Sequence, residues 1–126
     1  MITLGAVTLP PYLLWQDELS WAKVEQGAEY LLSGSLEIQT GVKLAGRPIT
    51  LVGEQNRGWI VRSTLLALLA LTETPQVLTL DYHGREFQVR FRFHDGEPVQ
   101  AVPLIVRIPP KDTDKYHSLV IRLLEV

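Results

Sequence analysis

The sequence of 126 residues contains no cysteine, and this absence removes several kinds of chemistry. Disulfide bonds, thiolate metal sites and a cysteine nucleophile are all excluded. The lack of disulfides is compatible with a reducing cytoplasm. A chain of this length suffices for one domain, is too short for two ordinary ones, and buries enough apolar surface to need no covalent staple. We therefore expect one domain over residues 1–126.

The sequence also lacks an excess of positive charge and a long apolar run. Twelve Lys and Arg residues stand against fourteen Asp and Glu residues, for a formal net charge of -2. Proteins that grip nucleic acid through its phosphates are usually clearly basic, so no specific nucleic-acid partner is expected. The longest apolar stretch, Leu65–Leu71, is far shorter than the ~20 residues of a membrane span. Residues 1–4 have no basic region followed by an apolar stretch, so neither a membrane partner nor a signal peptide is expected.

Most of the chain alternates between apolar and polar residues, which is typical of half-buried strands. The clearest stretch, residues 76–94, contains His83-Gly84 as a two-residue turn, and both residues tolerate positive φ. This turn would pair Tyr82 with Arg85, Leu80 with Phe87 and Leu78 with Val89. Apolar side chains then share one face of the hairpin, so the pattern and the turn predict the same register. The phenylalanines at 87, 91 and 93 should point inward, and the solvent face should carry Arg85, Arg90, Arg92 and His94.

Other strands follow from shorter patterns. Residues 2–4 and 7–9 flank Gly5-Ala6 and predict a small hairpin. Residues 35–39 and 49–52 predict a second hairpin with a longer loop. Residues 99–108 read as a strand interrupted by Pro103, which suits an edge or a bulge. Residues 117–126, rich in Leu, Val and Ile, predict a closing strand.

One segment, residues 63–73, predicts a helix instead, because it is made of strong helix formers. Ser63 is a suitable N-cap, and Pro75 limits the helix beyond Thr74. The helix is apolar nearly all round, so we expect its own sheet or a neighbouring subunit to cover it on several sides. The predicted fold is mainly β, an antiparallel β-sandwich or barrel with one short α-helix.

No stretch of the sequence has the residue pattern of a catalytic or metal site. The three histidines do not pair at helical or strand spacing, and Ser33-Gly34-Ser35 is not a nucleophile elbow. Gly53–Gly58 lacks the Lys-Ser/Thr of a phosphate loop. Asp112 and Asp114 have alternate spacing but lack the other ligands of a common calcium loop. We expect no cofactor, no metal and no enzymatic activity; a hydrolase with dispersed carboxylates is a weaker alternative.

Three segments are candidates for protein contacts. The face with Arg90 and Arg92 is either solvated or a docking surface for an acidic partner. Trp15 and Trp21 bracket a charged stretch, and one of them is expected to be exposed, since aromatic residues are enriched at interfaces. Trp59 is expected to pack on the sheet. The polar loop over 109–115 supplies the remaining predicted contacts, Lys111, Asp112 and Asp114.

The order of these segments resembles a known family. The chain begins Met-Ile-Thr-Leu-Gly, has Gly-Arg-Pro-Ile-Thr-Leu at 46–51 and then the apolar helix. The hairpin Leu-Thr-Leu-Asp-Tyr-His-Gly-Arg-Glu-Phe-Gln-Val-Arg-Phe follows at 78–91, and Val-Ile-Arg-Leu-Leu-Glu-Val closes the chain at 120–126. This layout covers nearly the whole chain and resembles the tail-tube-like fold of tailed bacteriophages, most of all the short distal tail or baseplate proteins.

The resemblance implies a structural protein of the virion, assembled in the cytoplasm of the bacterial host. Similar proteins form rings, usually six-fold, that join the tail tube to the hub and the receptor-binding apparatus. The implied partners are other copies of the chain and other tail proteins: the tube, the hub and the end of the tape measure. Sheets that continue across subunits would use exposed strand edges as docking surfaces. The alternative from another class is a monomeric β-barrel module that binds a small ligand or peptide in an apolar pocket.

Overall fold

A computed structural model describes residues 1–19, 24–30, 36–42 and 46–126 of the chain. Within these ranges the chain forms eleven strands and one helix. The strands are β1 (Ile2–Leu4), β2 (Val7–Leu9), β3 (Leu14–Trp15), β4 (Val24–Tyr30), β5 (Leu36–Val42), β6 (Pro48–Val52), β7 (Ile60–Val61), β8 (Leu78–Tyr82), β9 (Arg85–Phe91), β10 (Val99–Pro103) and β11 (Lys115–Glu125). The helix, α1, covers Arg62–Leu71.

Nine of the strands form one antiparallel sheet built around β11. Its main path runs β2-β1-β8-β9-β11-β6-β3, and β7 and β10 also pair with β11. The long strand β11 can serve four partners because each partner uses only part of its length. Its C-terminal part, residues 120–125, pairs with β6 and β9, its first two residues pair with β7, and β10 pairs with residues between Tyr116 and Ile121. The strands β4 and β5 pair only with each other among the described strands.

The sheet curls around an apolar core. Alternate residues of β11 supply its centre: Leu119, Ile121 and Leu123 are fully buried. Trp15, on β3 at one end of the sheet, meets the rings of Tyr82 and Phe87, which lie on β8 and β9. That contact requires strong curvature, but the sheet is not closed into a barrel. A mainly β fold with one short helix is thus confirmed for the described residues, and the barrel alternative is wrong.

The hairpin of β8 and β9 has the predicted register. Tyr82 pairs with Arg85, Leu80 with Phe87 and Leu78 with Val89. Both turn residues have positive φ, 51° at His83 and 90° at Gly84. The predicted hairpin of β1 and β2 is also confirmed, with Ile2 opposite Leu9. In both cases a short turn and an alternating pattern act over a few neighbouring residues, where loop closure is easy.

The expected hairpin between residues 35–39 and 49–52 is wrong. The strand β5 pairs with β4, whereas β6 pairs with β11 and β3; residue 35 itself lies outside the described residues. The reason is burial: Ile49 and Leu51 are fully buried, which the central position beside β11 provides. The expected strand over 99–108 is shorter, because β10 ends at Pro103, which has no N–H for a ladder.

The helix α1 starts one residue before the predicted cap. Its N-cap is Val61, which has no side-chain cap. The loop before β11 takes over this role: the N–H groups of Arg62 and Ser63 donate to the carbonyl oxygens of Asp114 and Asp112, at 2.8 and 3.1 Å. Leu65 and Leu68 are buried, while the helix face with Leu66 and Leu69 remains exposed. The described residues of the chain therefore cover the helix on one side only.

Candidate functional site

Arg92 does not lie on the solvent face, so this prediction from alternation is wrong. The strand β9 ends at Phe91, and Arg92 turns inward, with 6% of its surface exposed. Its guanidinium donates to Thr50 Oγ1 at 2.9 Å, to the Leu123 carbonyl at 3.2 Å and to Asp95 Oδ1 at 2.9 Å. These bonds satisfy a buried cation and tie three segments of the fold together. Arg92 is therefore unavailable as a surface contact.

Asp17 and Thr50 extend this network below Arg92. The carboxylate of Asp17 accepts two bonds of 2.9 Å from Thr50, one from its N–H and one from its hydroxyl. Asp17 Oδ2 also lies 4.0 Å from Arg92 Nη1. We name this set (Asp17, Thr50, Arg92, Asp95) the Arg92 network. It fixes the segment after β3 against β6 and the end of β9, and its role is structural.

Trp15 is also buried rather than exposed, with 2% of its surface accessible. Its ring packs edge-on against Phe87 and Tyr82 at centroid distances of 5.2 and 5.8 Å. The guanidinium groups of Arg47 and Arg85 lie 4.7 and 5.1 Å from the same ring. This packing makes Trp15 part of the core, not of an outer surface. Its predicted counterpart, Trp21, lies outside the described residues.

The loop over 109–115 has a structural task as well as exposed side chains. Asp114 accepts a hydrogen bond from the N–H of Lys111 at 3.0 Å and forms an ion pair with Arg107, whose Nε lies 3.1 Å from Asp114 Oδ1. The side chains of Lys111 and Asp112 are exposed, whereas Asp114 is half-buried. Nearby, Trp59 is 39% exposed, and its Nε1 donates to the Gln55 carbonyl at 2.7 Å. Its ring centroid lies 5.8 Å from Lys115 Nζ, on β11, so Trp59 meets the sheet at an exposed position and not in the core.

A set of exposed apolar side chains lies on β10, on the segment that follows it and on α1. We call it the β10 edge surface; its exposed members lie on α1, on β10 and on the segment after β10, and they are Leu66, Leu69, Val102, Leu104, Ile105, Val106 and Ile108. A groove of about 510 Å³ between α1 and β10 joins the helix part to the strand part. Among the described strands β10 pairs with β11 alone, so its outer edge has no strand partner there. An unpaired strand edge flanked by apolar side chains is a template for pairing with another chain.

A second apolar depression surrounds Arg90. Its volume is about 470 Å³, and we call it the Arg90 pocket; it is lined by Thr72, Thr74, Pro75, Gln76, Val77, Arg90, Phe91 and Phe93. Phe93 was expected in the core but is 60% exposed. The alternation fails here because the strand has ended, so residues 92 and 93 no longer follow the pleat. The exposed ring and the exposed guanidinium of Arg90 therefore lie on the same pocket.

Ser118 is the one strained non-glycine residue described within a strand. Its φ is 53°, and the register of β10 on β11 shifts beside it, between Gln100 and Val102. Its hydroxyl lies 2.8 Å from Nδ1 of the adjacent His117. Such a bulge increases the local bend of a strand and lets β11 change partners along its length. The contact between neighbouring residues fits this local role.

The described residues contain neither a metal-ion cluster nor a membrane-spanning helix. These residues contain no group of three or more histidines, aspartates or glutamates placed to hold a metal ion. The described helix is too short to cross a membrane. Comparisons of the chain with protein-family models, with curated proteins and with solved structures find no match.

Of the predicted contact residues, the structure brings Arg90 to an apolar pocket and places Lys111 and Asp112 on an exposed loop. It places Arg92 and Trp15 inside the molecule. Sequence reasoning missed the Arg90 pocket because it assigned Phe93 to the core. It also missed the full β10 edge surface, although two signals pointed to it: Pro103 within a predicted strand, and a helix too apolar to be covered on one side.

Proposed function

We propose that the chain is a non-catalytic structural subunit that assembles with copies of itself through the β10 edge surface. The observation that supports this most is the combination of a β10 edge that has no partner among the described strands with seven exposed apolar side chains on β10, on the segment after it and on α1. Monomers rarely expose a contiguous patch of more than a few hundred square ångströms, and an interface of standard size covers about 800 Å² per partner. A surface of this kind is stabilised when a second chain covers it.

A ring follows if the contact is heterologous and closes. A face that meets a different face of the next copy generates a ring or a filament, depending on the rotation between copies. The layout of the sequence resembles short distal tail or baseplate proteins of tailed bacteriophages, and the proposed role is theirs. The subunit would form a ring, six-fold by analogy, in the virion tail. It would join the tube to the hub or the receptor-binding apparatus and contact other tail proteins.

Charge placed on the β10 edge surface tests this proposal. Ile105→Lys with Val106→Lys adds two positive charges at exposed apolar positions and should prevent assembly, because association would desolvate both charges. The matched control is Gln55→Lys with Asn56→Lys, which adds the same charge to an exposed turn. Light scattering on a sizing column should show oligomers for the wild type and the control, and monomers for the variant. Equal masses for all three proteins would count against this surface.

One observation favours a second function, a monomeric module that binds a small ligand or a peptide. The Arg90 pocket combines an apolar lining with an exposed cation and has a volume typical of ligand sites. This alternative places the ligand on the surface and predicts a monomer at every concentration. The mass of the wild-type protein therefore separates the two functions.

A further inference from the structure

The Arg90 pocket holds a cation that has no counter-charge among the residues that the structure describes. Arg90 is exposed, and among the described residues no ion pair, hydrogen bond or ring contact involves its guanidinium. The sheet register explains why: its cross-strand neighbour on β11 is Leu124. By contrast, Arg57, Arg85, Arg92 and Arg107 each lie within 3.2 Å of a carboxylate oxygen.

The surroundings of this cation are apolar on several sides. Phe93 and Val77 are exposed by 60% and 50%, and Pro75 and Phe91 complete the apolar lining. The polar groups here are largely committed to the fold: Gln76 Nε2 donates to the Leu71 carbonyl and Thr72 Oγ1 to the Leu69 carbonyl. The pocket has a volume of about 470 Å³ and therefore offers a ligand one guanidinium beside apolar side chains.

We propose that the Arg90 pocket binds a segment of another protein that carries a carboxylate next to an aromatic or large aliphatic side chain. The carboxylate would accept the bidentate bonds that a guanidinium presents, and the apolar side chain would cover Phe93 and Val77. Charge complementarity selects this occupant: a purely apolar segment would leave Arg90 half-covered and unpaired. This inference rests on the alternative function proposed above for the same pocket, for which it names the kind of ligand, and it does not depend on the β10 edge surface.

Two capped dipeptides that differ by one charge test the proposal by amide NMR of the full chain. Acetyl-Asp-Phe-amide should shift the amide signals of Thr74, Val77 and Phe93 with a millimolar Kd. Acetyl-Asn-Phe-amide should bind about ten-fold more weakly, as expected for the loss of one charge-assisted hydrogen-bonded pair. Arg90→Gln should weaken binding of the Asp peptide by the same factor and leave the affinity for the Asn peptide unchanged. Lys111→Gln, an exposed cation outside the pocket, should change neither.

Several outcomes would overturn the proposal. The first is no shift at these amides at peptide concentrations up to about 10 mM, where binding this weak is still visible. Equal affinities for the two peptides, or wild-type affinity of Arg90→Gln, would do the same. If hexanoate bound more tightly than acetyl-Asp-Phe-amide, the pocket would be assigned to small carboxylic acids. Shifts at these amides on raising the protein concentration alone would assign it to a second copy. None of these results depends on whether the double substitution of Ile105→Lys and Val106→Lys changes the mass of the protein in solution.

Discussion

Two arginines two positions apart show how strongly a residue's role depends on where its strand ends. Arg90 is on β9 and exposed, whereas Arg92 follows the strand and is buried with its three hydrogen bonds to Thr50, Leu123 and Asp95. Alternation treats both as outward residues, since it assumes that the pleat continues. Reversal of both charges would therefore mix a surface change with a change in the core.

Arg92→Met should cost about 2–4 kcal/mol of unfolding free energy, because it removes the hydrogen-bond donor to Thr50 Oγ1, to the Leu123 carbonyl and to Asp95, and the cation beside Asp17. Arg90→Met is the matched control and should change stability by no more than about 0.5 kcal/mol, as exposed substitutions usually do. Urea unfolding at neutral pH measures both. Equal effects of the two substitutions would mean that Arg92 is not buried as described.

Asp95 makes the stability that the Arg92 network contributes depend on pH. Desolvation is the largest single influence and raises the pKa of Asp95, but the hydrogen bond from Arg92 and the charges of Arg92 and His94 together hold it below its ordinary value of 3.8. A carboxylate with a depressed folded-state pKa stabilises the fold above pH 3.8, and this stabilisation is lost as the pH falls through the lower folded value.

Asp95→Asn should therefore be less stable than the wild type at neutral pH, and the gap should narrow in acid below pH 3.8. Urea unfolding of both proteins across that range measures the gap. In the Arg92→Met background the gap at neutral pH should shrink, since the main partner of Asp95 is gone. A gap that stays constant with pH would contradict the assignment.

At the scale of elements, β11 is the central strand of the sheet. Its bulge at Ser118 allows it to pair with four other strands. A non-glycine residue at φ 53° is strained by roughly 1 kcal/mol. Ser118→Gly and Ser118→Ala both remove the hydroxyl, but only glycine relieves the backbone. We expect Ser118→Gly to be about 1 kcal/mol more stable than Ser118→Ala in thermal unfolding. An alanine variant as stable as the glycine variant would mean that β11 has no left-handed residue here.

The elements that the sequence predicted well are those fixed by local patterns. The hairpins of β1 with β2 and of β8 with β9 need only alternation and a short turn, and both have the expected partners. The helix was found from its composition, but its N-terminus was not, because its first N–H groups bond to carbonyls some fifty residues away at Asp112 and Asp114. No local pattern contains that contact.

The errors in the predicted strands and in the predicted contact residues also come from long-range pairing, which local patterns do not contain. The strand β6 lies beside β11 and not beside β5, since the core needs Ile49 and Leu51 at its centre. Phe93 reaches the surface because β9 stops at Phe91. The Arg90 pocket therefore forms from the end of one helix and the end of one strand, two places where periodicity gives no information.

At the scale of the whole molecule, the described residues include two exposed apolar surfaces that are suited to different partners. The β10 edge surface has seven exposed apolar side chains and a strand edge without a partner among the described strands, which favours another chain as its cover. The Arg90 pocket is lined by a single cation and apolar side chains, which favours a carboxylate beside an apolar side chain as its ligand. The proposed subunit thus has one surface for its own copies and another for a different protein.

The most direct test of self-assembly is the mass of the wild-type protein in solution, by light scattering on a sizing column over a range of concentrations. Negative-stain images of the main peak complete the measurement. We expect a closed multiple of 14.2 kDa, six-fold if the resemblance to tail rings holds, and ring-shaped particles. A mass of 14.2 kDa at every concentration would contradict assembly through the β10 edge surface and favour the monomeric binding module.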